Sequence, residues 1–137
     1  MDIQAPISSI MTTELKTVRS DDSLMTVKEL FDQHDFHHIP VVDEDQISGI
    51  LSKSDFLYFL RGYTNNDIDR FIEAAKLRAF KVEELMKKEL ITLKPGDTIK
   101  EALNIFENNK FHCIPIAEEE ELKGIITPLD IIKALNA

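Results

Sequence analysis

Two aspartates close two similar stretches of this chain. Asp55 ends Gly49-Ile50-Leu51-Ser52-Lys53-Ser54-Asp55, and Asp130 ends Gly124-Ile125-Ile126-Thr127-Pro128-Leu129-Asp130. Each stretch is a glycine, two aliphatics, a hydroxyl residue and, three positions later, the carboxylate. Two roles are open to such a carboxylate. It can accept two hydrogen bonds from a vicinal diol, and hydrogen bonds to charged groups contribute about 1.5–3 kcal/mol each. It can also stand in the first turn of a helix, complement the dipole for ~0.3–1 kcal/mol, and do nothing more. The aliphatics suit a buried strand and the hydroxyl suits a helix N-cap. A strand that runs into a capped helix leaves N–H groups and a hydroxyl together, where a polar ligand can dock.

The two stretches lie 75 residues apart, and that offset holds well beyond them. It maps Met86 onto Met11, Leu90 onto Leu15, Thr92 onto Thr17, Asp97 onto Asp22 and Phe106 onto Phe31. It also maps Phe111, His112, Ile114 and Pro115 onto Phe36, His37, Ile39 and Pro40. No gap is needed between Ile10–Leu60 and Leu85–Leu135, so the chain is an internal duplication.

The elements that must position these residues follow from local pattern. Residues 3–11 predict a short helix or turn, and Thr17-Val18 a brief extended segment. Asp21, Asp22 and Ser23 offer N-caps before Leu24, Val27, Leu30 and Phe31, an apolar stripe at helical period that ends near His34-Asp35. Phe36 to Val42 reads as a strand whose Pro40 implies an edge or an end. Asp43 to Gln46 is a polar turn, Ile47 to Leu51 a second strand, and Phe56 to Leu60 continues the helix that Ser52 caps. The order strand, helix, strand, strand, helix then recurs. Asp97-Thr98 precede the helix of Ile99, Ala102, Leu103 and Phe106, Phe111–Ala117 and Leu122–Ile126 are strands, and Leu129–Leu135 is the last helix. Between the copies, Gly62 and Asn65-Asn66 punctuate the start of a linker helix that Asp67 can cap and that runs to about Phe80. The expected divisions are 1–62, 63–79 and 80–137. Glu118 to Glu121 reads as a solvated hairpin tip rather than a metal site.

Composition narrows the function classes. The chain has 137 residues, 43% hydrophobic and 30% charged, enough for a real core. No apolar run approaches the ~18 residues needed to span a bilayer, and no signal-peptide pattern opens the chain. A formal net charge of -9 disfavours nucleic acid and anionic membranes as partners. Cys113 is the single cysteine. It has no intrachain disulfide partner, fits a reducing cytoplasm, and reads as a small core residue. His34, His37 and His38 near Asp35 raise a metal site, but His37 and His38 alternate faces on a strand and cannot both point at one ion. No nucleophile elbow or phosphate-binding loop is present, so catalysis is not expected.

The duplicated unit, the two Gly-aliphatic-aliphatic-Ser/Thr-x-x-Asp stretches and the two His-x-Ile-Pro segments together resemble a pair of CBS domains, the cystathionine β-synthase-type modules. The resemblance covers roughly residues 5–61 and 80–136 and leaves no segment for a catalytic domain, so a stand-alone pair (Bateman module) is expected. It implies an α/β (α+β) fold of two β-α-β-β-α repeats packed about a pseudo-twofold axis. It implies regulation by an adenosine-containing ligand such as AMP, ADP, ATP or S-adenosylmethionine, in clefts that each draw on both repeats. By the family pattern Asp55 works with Ile50, Ser52, Ser54, Thr92, Leu93 and Phe111. Asp130 works with Ile125, Thr127, Thr17, Val18 and Phe36. His37 and His112 match positions where relatives such as the AMP-activated kinase regulatory subunit place phosphate-contacting basic residues. An unidentified regulated protein is the implied partner. The alternative is a structural or protein-interaction pair whose clefts stay empty.

The copies differ where a phosphate would matter. Pro128 and Leu129 replace Lys53 and Ser54, so the second stretch loses a cation and a hydroxyl. Local cations such as Lys53, Arg19 or Lys94 would be needed against the net acidity, and the Asp55 site is expected to bind a phosphorylated nucleoside more tightly. Phe56-Leu57-Tyr58-Phe59-Leu60 is apolar beyond one core-facing stripe. With Ile131, Ile132, Ala134 and Leu135 on the matching helix, it predicts a homodimer.

Overall fold

The computed structural model describes residues 1–60 and 67–137, with side chains from Arg70 onward in the second segment. The punctuation expected at Gly62 and Asn65-Asn66 lies outside the described residues, as does the side chain of Asp67, where a cap is expected. The elements are α1 (Leu24–Gln33), β1 (His38–Asp43), β2 (Gln46–Ser52), α2 (Lys53–Leu60), α3 (Asp67–Ala79), α4 (Ile99–Glu107), β3 (Ile114–Glu118), β4 (Glu121–Ile126) and α5 (Pro128–Leu135). Short 3-10 turns at Ile7–Ser9 and Val82–Glu84 precede the two copies. The strands hydrogen bond in the order β1-β2-β4-β3.

Two compact units result. One holds Met1–Leu15, Asp45–Ile47 and Leu90–Ala137, and the other holds Lys16–Glu44 and Ser48–Glu89. Each unit therefore combines the body of one repeat with the leading segment of the other.

In the unit built on the first repeat, Leu24, Val27 and Phe31 of α1 face Ile39, Val41, Leu51 and Phe56 in one buried cluster. Leu77 of α3 and Val82 join the same cluster, so the segment between the repeats is part of a core. Backbone bonds tie it down: Leu24 N–H donates to the Phe80 carbonyl (3.0 Å), and Val82 N–H to that of Asp22 (2.8 Å). Pro40 sits where its missing donor is not needed. Val18 N–H donates to the Pro40 carbonyl and Val42 N–H to the Val18 carbonyl, which makes one parallel bridge beside β1.

The unit built on the second repeat has its core at Ile7, Ala102, Ile114, Ile116, Ile126 and Ile131. Thr98 caps α4 reciprocally with Glu101, at 3.2 and 3.3 Å. Leu93 bridges Ile116 in parallel, with Pro115 supplying only its carbonyl, as Pro40 does in the other unit. β3 and β4 form an antiparallel hairpin from Ile114↔Ile126 to Glu118↔Glu121.

Two expectations need correction. The first strand of each repeat contracts to a single bridge, at Val18 and at Leu93. β1 and β3 also begin later than Phe36 and Phe111, at His38 and Ile114. At the first of these the His37 carbonyl still accepts the Lys53 N–H at 2.8 Å, so the hairpin bonding runs on to the start of α2.

The acidic run is a hairpin tip, with Glu119 and Glu120 at φ 51° and 70°. Both central residues of a two-residue hairpin turn lie in the left-handed region here, where side chains with a Cβ are strained and Asn-Gly is preferred. Replacing Glu119 by Asn and Glu120 by Gly should raise stability by about 1 kcal/mol and move the urea midpoint upward. A midpoint that stays or falls would count against a strained tip.

Candidate functional site

Each motif glycine marks a place where the leading segment of the other repeat crosses the motif strand. Lys87 and Ile50 exchange two backbone hydrogen bonds, at 2.9 and 3.0 Å. Thr12 and Ile125, one repeat offset away, do the same at 2.9 and 3.0 Å. A Cβ on Gly49 would lie 2.8 Å from the Lys87 carbonyl oxygen and 2.7 Å from the Met86 sulfur. On Gly124 it would lie 2.8 Å from the Thr12 carbonyl oxygen and 3.0 Å from the Met11 sulfur. The glycines thus serve close backbone approach, and the crossing sets the next side chain, Lys87 or Thr12, beside the motif aspartate.

The two aspartates then differ. Asp130 is satisfied on both oxygens. Its Oδ1 accepts the Thr12 hydroxyl at 2.7 Å. Its Oδ2 accepts the Thr127 N–H at 2.8 Å and the Thr127 hydroxyl at 3.2 Å, and Asp130 N–H faces the Thr127 Oγ1 at 3.4 Å. This is a closed capping box on α5 with an added tertiary bond. Asp55 N–H donates to the Ser52 hydroxyl at 3.0 Å, so α2 is capped as expected. Among the described residues, however, the Asp55 carboxylate pairs only with Lys87, whose Nζ lies 3.9 Å from Oδ2. Both side chains reach solvent, at 38% for Asp55 and 66% for Lys87. That ion pair is loose and contributes little to stability.

Two further residues that can carry positive charge meet at the helix start that Asp55 belongs to. Lys53 opens α2, and its N–H holds the His37 carbonyl, which brings His37 to the same helix start. Pro128 stands at the equivalent first position of α5 and has no N–H to repeat that bond. Leu129 is exposed there in place of Ser54.

Of the expected site residues, Thr17, Val18, Phe36, His37, Ile50, Ser52, Lys53, Ser54 and Asp55 belong to one unit. Thr92, Leu93, Phe111, His112, Ile125, Thr127 and Asp130 belong to the other. Val18, Ile50 and Ile125 are buried, and Leu93 is half-buried. Thr17, Ser54, Thr92, His37 and His112 are exposed. Phe36 is stacked by the His34 ring, with centroids 4.9 Å apart. The Lys110 ammonium lies 5.6 Å from the Phe111 ring. Sequence reasoning missed Lys87 and Thr12. The signal was available, because Met11 and Met86 align and the residue after each differs.

Cys113 is buried, as expected of a core residue. Burial, with a smaller contribution from the Asp130 charge, pushes its thiol from an ordinary value of 9.0 to about 12.

The CBS domain family model matches residues 7–62 and 82–137. An uncharacterized protein of Methanocaldococcus jannaschii, MJ1225, is 27% identical over 97% of this chain and 48% of its own. Its solved structure superposes with a TM-score of 0.81, at 26% identity over 98% of this chain and 49% of that one. An uncharacterized conserved protein from Pyrococcus horikoshii is 27% identical, with a TM-score of 0.78 over 100% of this chain and 96% of its own. CBSX2, solved in complex with AMP, shares the fold at a TM-score of 0.77 and 20% identity, over 96% of both chains. The chain spans less than half the length of several curated relatives that it matches.

Two outcomes follow from this geometry. Gly49→Ala and Gly124→Ala should each destabilise by about 1–3 kcal/mol in urea unfolding, because the clash is with backbone. Changes within experimental error would overturn the close-approach role. Above pH 9 the unfolded chain releases a thiol proton that folded Cys113 keeps. Stability should therefore fall as pH rises from about 9 towards 12, by up to ~1.4 kcal/mol per unit. Cys113→Ala should flatten that slope, and an unchanged slope would assign it to other groups.

Proposed function

The chain belongs to the CBS domain family, and we propose that it is a non-catalytic regulatory module that binds an adenosine-containing ligand through Asp55. The observation that carries this reading is the state of the Asp55 carboxylate. It is half-exposed at the start of a capped helix, with one displaceable counter-ion and Lys53, Ser52 and Ser54 beside it. A carboxylate so placed can turn to a ribose diol, and the helix start and neighbouring cations favour a phosphate. The AMP held by CBSX2 supports the ligand class. Thr92, Leu93, Phe111 and His112 of the second repeat remain proposed ligand contacts.

For Asp130, with Ile125 and Thr127, the structural alternative has a specific observation in its favour. A diol would have to compete with hydrogen bonds already made to both carboxylate oxygens. We therefore assign Asp130 first to helix capping, and the tighter ligand event to Asp55.

The module would signal to a separate protein, in a cytoplasmic setting that suits its buried free thiol. A second copy is the proposed cover for the apolar side chains that α2 and α5 leave exposed, Leu57 and Tyr58 on one and Leu129, Ile132 and Leu135 on the other. Light scattering should give a dimer at tens of micromolar, and a mass near 15.7 kDa would count against it.

Calorimetric titration with AMP, ADP, ATP and S-adenosylmethionine tests the ligand reading. Ligand at a hundredfold its Kd should stabilise the fold by ~2.7 kcal/mol. Asp55→Ala should abolish the tightest event. Asp130→Ala should leave it and instead cost about 1–2 kcal/mol of stability from the lost cap. No melting shift with any of the four ligands would overturn the reading.

A further inference from the structure

Lys87 and Thr12 occupy equivalent positions, each held by two backbone bonds to its motif strand and each set against the motif aspartate. Thr12 is neutral and closes the Asp130 carboxylate with a 2.7 Å bond. Lys87 is cationic and stands off Asp55 at 3.9 Å, with most of its side chain in solvent. The same unit places Lys53 at the first residue of α2, its N–H on the His37 carbonyl. In the other unit Thr12, Pro128 and Leu129 supply no charge at the positions of Lys87, Lys53 and Ser54.

We propose that Lys87 is a specificity-determining residue, one that makes the Asp55 site select a nucleoside bearing a 5′-phosphate over an uncharged or sulfonium-bearing nucleoside. This rests on the reading of Asp55 as the diol-binding carboxylate. A diol that takes the Asp55 oxygens weakens the carboxylate's hold on the ammonium and frees it to turn. The lysine stem is long and flexible and carries three donors, so the freed ammonium can reach an anionic group on the same ligand. A phosphate compensates for the lost ion pair. A neutral 5′-hydroxyl cannot, and a sulfonium adds like-charge repulsion. Lys53 adds a second positive charge from the same helix start. Lys87 thus has two jobs at different stages, as counter-ion to Asp55 when the site is empty and as phosphate contact when it is filled.

The test is calorimetric titration of the full chain, wild type and Lys87→Met, with AMP, adenosine and S-adenosylmethionine at low salt. Wild type should bind AMP about tenfold or more tighter than adenosine, with S-adenosylmethionine weaker still. Lys87→Met should bring AMP within about twofold of adenosine and should leave adenosine binding unchanged or slightly tighter, since the carboxylate loses its competitor. The exposure of Lys87 makes the variant's fold secure, and an unchanged melting temperature checks it. If wild type binds AMP and Lys87→Met keeps the AMP-to-adenosine ratio, the role of Lys87 is wrong and the reading of Asp55 stands. If wild type binds none of the three at millimolar concentration, this inference is overturned, and the reading of Asp55 falls with it when ADP and ATP also fail to bind.

Discussion

The structure depends on two backbone crossings. At each, a leading segment lies against a motif strand with no side chain between them, and a pair of N–H to C=O bonds locks it there. Gly49 and Gly124 permit the approach, because a Cβ at either would sit 2.8 Å from a carbonyl oxygen. The crossing also explains the composition of the units. A leader anchored this way belongs to the body it crosses, so Met1–Leu15 is compact with Leu90–Ala137 while the segment before Leu90 is compact with the first repeat. The methionines at Met11 and Met86 follow from the same contact, since a flexible thioether packs against a surface stripped of its side chain.

Because backbone and glycine do the holding, the residue after each methionine is free to vary. Its place beside the aspartate is set by two main-chain bonds whatever its side chain is. Threonine at that place has a hydroxyl of the right length to reach a carboxylate oxygen, and the result at Asp130 is a carboxylate hydrogen-bonded on both oxygens. Lysine overshoots, keeps its ammonium in solvent and leaves the Asp55 carboxylate loosely paired. One substitution therefore separates a structural aspartate from an available one, with the surrounding frame unchanged.

Much of this was legible in the sequence, and the limits have physical causes. The 75-residue offset, the hydroxyl caps at Ser52, Thr98 and Thr127, the hairpin tip at Glu119-Glu120 and the apolar stripe of α1 all rest on local pattern, and local pattern is what a sequence displays. The first strands were overestimated because Thr17-Val18 and Thr92-Leu93 have the right residue types, while tertiary contact gives each one bridge only. The assignment of each leader to a body was not legible. The two leaders are near-copies, so nothing local says which motif strand either one meets. Thr12 and Lys87 were missed for the same reason, since their meaning appears only once the crossing is known. Ser52 to Asp55 and Thr127 to Asp130 share one capping pattern, and no rule of helix ends distinguishes the closed carboxylate from the loosely paired one.

Duplication supplies two equal frames, and the differences between them are concentrated where they cost the fold least. Positions 53 and 128 both begin a helix, and both lysine and proline are tolerated there. Positions 54 and 129 are exposed. Positions 87 and 12 are held by main chain. None of these exchanges falls in the buried clusters, which stay apolar in both units. They bear on the electrostatics, however: one aspartate has Lys87 against it and Lys53 and Ser54 just before it in the chain, and the other has a proline and a leucine before it and a threonine that closes it. In a chain of net charge -9, cations near a helix start are what an anionic ligand of the proposed kind would need there. The asymmetry is therefore electrostatic in its effect and nearly neutral in its structural cost, which is what the proposed division of roles between the two aspartates requires.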